Sequence, residues 1–151
     1  ANPTMGQEIT HKNFNKKDFS LYQERLEQET ALLKQWFDDD IWDQGGDVGG
    51  FELEAWLVDA NCRPDPNNED FLQRLDNPLV VPELARFNVE LNTVPRTLRG
   101  NALSEMEQEL AATWEHCQRV AGESCNALAM IGILPSARDS DLVRANMSGM
   151  T

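Results

Sequence analysis

Apolar residues recur at Phe19, Tyr22, Leu26, Leu33 and Trp36/Phe37, at separations of three, four and seven, and mark the stripe of an amphipathic helix. Ser20 with Gln23 reads as its capping box. Asp38, Asp39 and Asp40 end it, where the helix dipole disfavours negative charge, and read as a solvated surface. The polar residues 1–17 before it, with Pro3 and Gly6, read as a loose arm. Gly45-Gly46 and Gly49-Gly50 mark a flexible entry into a second unit.

The period then changes to two. Over residues 51–59, Phe51, Leu53, Ala55 and Leu57 share one face, and Glu52, Glu54, Trp56 and Val58 the other. A second alternating strand over 87–94 sets Phe87, Val89 and Leu91 against Asn88, Glu90 and Asn92. Between them lie a turn-rich loop from Asn61 to Asn68, a short helix capped by Asn68 that carries Phe71, Leu72 and Leu75, and an extended run from Pro78 to Pro82. Leu103, Met106, Leu110, Trp114, Cys117 and Ala121 form the stripe of a long helix, with a capping box at Ser104 and Glu107 and a stop at Gly122. Residues 127–134 are apolar on both faces and suit a buried central strand, with a buried helix turn as the alternative that periodicity leaves open. The expected fold is α+β, an antiparallel sheet backed by helices. If the two acidic strands share a sheet, Glu52, Glu54 and Glu90 face the same way, and the apolar side packs on the long helix.

Composition narrows the function. The 151 residues carry 26 Asp+Glu against 13 Lys+Arg, a net charge of -13. Such a domain repels phosphate backbones and anionic membranes and attracts cations, so neither nucleic acid nor membrane is an expected partner. No apolar run reaches the ~20 residues of a membrane span. Cys62, Cys117 and Cys125 are odd in number and lack zinc-site spacing, which points to a reduced, cytoplasmic protein. All four Lys precede residue 35. Ala stands at position 1 and the run from Ser140 to Thr151 reads as a helix start cut short, so the chain is expected to be a fragment.

P-loop, dinucleotide, Gly-x-Ser-x-Gly and His-Glu-x-x-His patterns are absent, and the two His residues, His11 and His116, fall in the arm and off the long helix's stripe. What remains is carboxylates. Glu52 and Glu54 are about 6.6–6.8 Å apart along one strand face, and Glu90 sits between Asn88 and Asn92 on the other. Hard oxygen ligands of this kind suit Mg2+ or Mn2+. Two other readings stand beside this one: each strand simply turns a polar face to water, or two acids flank a glycosidic bond. Trp56 and Val58 give the acidic face apolar walls, which an open solvated face does not need.

The segment Gly50-Phe51-Glu52-Leu53-Glu54-Ala55-Trp56-Leu57-Val58-Asp59 resembles the Gly-x-Glu-x-Glu-x-x-Leu-Val strand of glutamate–cysteine ligases and related carboxylate–amine ligases. Phe87-Asn88-Val89-Glu90-Leu91-Asn92-Thr93-Val94-Pro95 is similar to their second acidic strand, Glu-Leu-x-Thr-Pro, and Asp141 to Met147 to the start of their next helix. The resemblance implies that residues 46–151, after an arm and helix over 1–45, are the N-terminal half of a glutamine-synthetase-like catalytic domain. It implies an ATP-dependent ligase of glutathione biosynthesis. A glutamate carboxylate would be phosphorylated by ATP and attacked by an amine such as cysteine, in a chain that allows an oligomer. Glu52, Glu54 and Glu90 match the positions that hold Mg2+ or Mn2+ against the ATP phosphates. Asn92, beside Glu90 on the same face, is expected to orient a metal-bound water or the substrate, and Arg96, just past that strand, either pairs with a carboxylate or phosphate or is a plain surface residue. Leu134 stands where many bacterial relatives have the His of Gly-Thr-His-Pro. With no Lys after Lys34, this chain alone is expected to be incomplete and inactive. The alternative is a non-catalytic metal- or partner-binding module that kept the strands and lost the reaction.

Overall fold

A computed structural model describes residues 13–42 and 45–148, which fall into two compact units, one within residues 1–46 and one within 47–149. His11 and most of the expected arm lie outside the described residues.

The first unit is built on helix α1 (Lys16–Asp38). It starts four residues before Ser20. Asn15 is the N-cap: its side chain accepts from the backbone N–H of Lys17 and Asp18, and Asp18 returns the bond to the Asn15 N–H at 2.8 Å. Ser20 lies inside the helix, its hydroxyl donating to the Lys16 carbonyl. The stripe therefore locates the apolar face and not the entry, since the polar turn before Phe19 already satisfies its own N–H groups. Past the end, Trp42 meets Trp36 and Phe37 with ring centroids 6.1 and 4.7 Å apart. No residue of α1 is buried.

The second unit holds a four-stranded antiparallel sheet of β2 (Glu52–Val58), β3 (Val80–Pro82), β4 (Asn88–Asn92) and β6 (Ala127–Ala129) in the order β3-β4-β2-β6. A small ladder pairs β1 (Val48–Gly49) with β5 (Arg96–Thr97). In the β2–β4 register Leu53 faces Leu91 and Ala55 faces Val89, while Glu52 faces Asn92, Glu54 faces Glu90 and Trp56 faces Asn88. The two acidic strands thus share one sheet and one polar face, as their alternation predicts. The fold is α+β.

The apolar face carries the core. Ala55, Leu57, Val89, Leu91 and Leu128 pack with Phe71 and Leu75 of α2 (Asn68–Leu75) and with Cys117, Val120 and Ala121 of α3 (Ala102–Gly122). Met106 is fully buried, and Leu110 and Trp114 are half-buried against the same cluster. Leu103 is exposed, while Ala102 beside it is the residue of the first turn that is buried. The cap position is Asn101, not Ser104, and follows Gly100, whose φ of 57° turns the chain into the helix. Asn67, not Asn68, precedes α2, and Asn68 is buried.

Two further expectations are corrected. Residues 127–134 do not form a central strand. β6 is a three-residue edge strand, after which Met130, Ile131 and Ile133 are exposed. The Trp56 indole N–H donates to the Ile131 carbonyl at 3.0 Å, so a side chain takes the acceptor that a continuing ladder would use. The tail is not an α-helix start: short 3-10 turns span Asp139–Asp141 and Arg144–Asn146. There the Asp141 carboxylate accepts from the Arg138 N–H and pairs with Arg63 at 3.1 Å, and Met147 bridges to Ala85. Among the described residues no helix is long and apolar enough to cross a membrane.

Burial pushes the Cys117 thiol up from 9.0 to about 11. The unfolded chain therefore loses this proton first as pH rises. Stability should fall as pH rises through roughly 9 to 11, by at most about 3 kcal/mol from this group. Urea titrations across that range should show the fall in the parent chain and a smaller one in Cys117→Ala. In the native state a thiol reagent should modify the exposed Cys62 and Cys125 and reach Cys117 only on unfolding.

Candidate metal centre

The β2–β4 register sets Glu54 directly opposite Glu90. Cross-strand Cβ atoms are about 4.5–5.5 Å apart, and like charges so placed repel. Glu83, just past β3, brings a third carboxylate. One oxygen from each of Glu54, Glu83 and Glu90 lies within 4.8 Å of the others, with Glu54 exposed and the other two half-buried.

Polar neighbours hold two of the three acids. Asn92 Nδ2 donates to Glu90 Oε1 at 2.8 Å, and the Leu84 backbone N–H donates to Glu83 Oε2. Among the described residues, no Lys or Arg forms an ion pair with Glu54, Glu83 or Glu90. Three carboxylates with no ion-pair partner among the described residues offer oxygen donors alone, the donor type that a hard divalent cation takes.

Glu52 is on the same face but opposite Asn92, one strand repeat away from the group. The structure thus joins two of the three expected acids, Glu54 and Glu90, leaves Glu52 beside them, and adds Glu83. Nothing in the alternation identifies Glu83, which depends on β3 pairing with β4 at Val81–Glu90. The sequence offers only an acid directly after the extended run ending at Pro82.

Beside the acids lies a hollow of about 650 Å³ lined by Glu54, Trp56, Phe87, Leu84, Met130 and Leu142, among others. The Trp56 and Phe87 rings stack in parallel with centroids 5.2 Å apart. The apolar walls expected from Trp56 are therefore present, but Val58 is buried.

At the other end of the strands, the Phe51 N–H donates to the buried Thr93 hydroxyl at 2.8 Å. A Cβ on Gly50 would approach that hydroxyl to 3.3 Å, so a glycine suits the entry to the acidic strand. Arg96 sits on β5 with its guanidinium 3.4 Å from Glu105 and 3.5 Å from Glu109 of α3. Glu109 also accepts from the Val94 N–H. Arg96 thus fastens the segment after β4 to α3, and its charge is already shared by two carboxylates. Leu134 is buried.

Set against known proteins, the chain matches no protein-family model, and no curated protein or solved structure resembles it significantly.

Proposed function

We propose that residues 46–151 are the metal-binding half of an ATP-dependent carboxylate–amine ligase resembling glutamate–cysteine ligase, with a glutamine-synthetase-like sheet. The observation that supports this reading is the convergence of Glu54 and Glu90, on the strands bearing the two acidic motifs, with Glu83 just past β3, none of them ion-paired among the described residues. In this reading the three acids, with Glu52 beside them, hold Mg2+ or Mn2+. The bound cation supplies charge cancellation on the phosphoryl group that passes from ATP to a glutamate carboxylate. Asn92 orients Glu90 through its 2.8 Å hydrogen bond. The stacked Trp56 and Phe87 rings give the adjoining hollow an apolar wall beside the acids.

A non-catalytic metal-binding module is the second reading, favoured by Arg96, whose guanidinium is held by Glu105 and Glu109 rather than free for phosphate. The test is ADP release by the full reading frame carrying these residues, with Mg2+, glutamate and cysteine or another amine. Release that requires both glutamate and the amine, yields an amide product and is lost in Glu90→Gln supports the ligase. Mg2+ binding without glutamate-dependent release supports the module.

A further inference from the structure

We propose that the free edge of β2 docks an extended segment of another polypeptide, which adds as an antiparallel strand and reads basic–apolar–basic. The Thr93 N–H donates to the Phe51 carbonyl at 3.0 Å, and the Leu57 N–H donates to the Phe87 carbonyl at 2.8 Å. Phe51, Leu53, Ala55 and Leu57 therefore bond toward β4, and Glu52 and Glu54 turn their backbone N–H and C=O groups the other way. β6 covers that side only from Trp56 to Val58. Among the described residues, no hydrogen bond meets the backbone groups of Glu52 or Glu54 there.

The outer strands of the sheet are closed. Outside β6, the Gln118 side chain donates to the Leu128 carbonyl at 2.8 Å and accepts from the Leu128 N–H at 3.2 Å. On β3, the Val80 N–H donates to the Asn77 carbonyl at 3.1 Å, and Pro82 has no N–H to offer. An open edge in a sheet whose outer strands are capped is a template for one more strand.

The two faces beside this edge specify the segment. Residues opposite each other in a ladder share a face. Residues opposite Glu52 and Glu54 would meet two exposed carboxylates that have no ion pair among the described residues, so cations fit there. The residue opposite Leu53 would lie over a groove of about 490 Å³ lined by Phe51, Leu53, Leu103, Leu110, Trp114 and Met130, which takes a large apolar side chain. A second copy does not supply this pattern. No Lys or Arg in the chain stands two residues from another, and β2 against β2 sets acid against acid. The inference stands on the edge of β2 and is independent of metal binding.

The test is an NMR titration of the whole isotope-labelled chain, without divalent cations, with the peptide acetyl-Thr-Lys-Phe-Lys-Thr-amide. The expected Kd is about 1 mM or tighter, with amide shifts centred on Glu52, Leu53 and Glu54. Each peptide Lys would exchange both backbone bonds with β2, while the peptide Phe N–H would point away. N-methylation at both Lys should therefore weaken binding about tenfold or more, and N-methylation at Phe should not. A peptide with Glu in place of both Lys should not bind the parent chain and should bind Glu52→Lys/Glu54→Lys. No binding at low salt overturns the proposal. So does binding indifferent to N-methylation at Lys, which is charge attraction without a strand. Shifts that follow protein concentration without peptide also overturn it, since they place a second copy on the edge.

Discussion

Millimolar Mn2+ should raise the melting temperature of this protein, and the rise should depend on Glu54, Glu83 and Glu90. A cation that binds only the folded state adds RT ln(1 + [L]/Kd), about 2.7 kcal/mol at a hundredfold excess over Kd. For a unit of this size that corresponds to a shift of about 10 °C or more. Each of Glu54→Gln, Glu83→Gln and Glu90→Gln keeps the side-chain shape and removes one ligand charge, so each should reduce the shift. Without metal the same variants should be slightly more stable than the parent. Glu54 and Glu90 face each other across the ladder, and an opposed like-charge pair costs roughly 0.2–1 kcal/mol. This inversion, less stable with Mn2+ and more stable without it, separates a ligand set from a solvated polar face. Glu52→Gln should have the smallest effect of the acids on this face, since Glu52 lies opposite Asn92 and outside the three-carboxylate group. Changing Asp38, Asp39 and Asp40 to Asn should leave the shift intact. Equal Mn2+ responses in all the Gln variants would make the acids surface charges and remove the ligase reading's physical basis.

The legible parts of the sequence are those where one period runs long enough to choose a face. Glu52 to Val58 and Asn88 to Asn92 alternate cleanly, so their pairing and the shared face of Glu54 and Glu90 follow from burying Ala55, Leu57, Val89 and Leu91. The stripe of α3 is legible for the same reason. Helix entries are not. Ser20 and Ser104 have cap-forming chemistry, yet Asn15 forms the cap of α1 and Asn101 occupies the cap position of α3, because the polar turn before each stripe can also be helical. Residues 127–134 misled because a run apolar on both faces does not say where its ladder stops; here the indole of Trp56, distant in sequence, takes the Ile131 carbonyl. Glu83 was hidden because β3 is only three residues long, and its place beside Glu90 follows from strand pairing rather than from a local pattern.

Phe87→Ala should be among the most destabilising single substitutions in the second unit. Phe87 is 1% exposed and lies just before β4. Its ring stacks on Trp56, which also anchors the chain after β6 through the Ile131 carbonyl. Removing a buried Phe ring costs about 3–5 kcal/mol in lost transfer energy and cavity, and an aromatic pair contributes roughly 0.5–1.5 kcal/mol beyond its buried area. Set against a typical total of about 5–15 kcal/mol, that is a large share of the unit's stability. The urea midpoint should drop accordingly, while Phe87→Leu, which fills most of the volume, should cost less than about 1.5 kcal/mol. The Trp56 ring would gain water on its lower face, so the emission difference between Phe87→Ala and Phe87→Ala/Trp56→Phe should shift to longer wavelength. The Leu57 N–H donates to the Phe87 carbonyl at 2.8 Å whatever the side chain, so the β2–β4 register survives truncation. The Mn2+ response should therefore persist in Phe87→Ala below its lowered melting point. Loss of that response in a chain that is still folded would mean that the acids are held in place by the aromatic floor and not by the ladder.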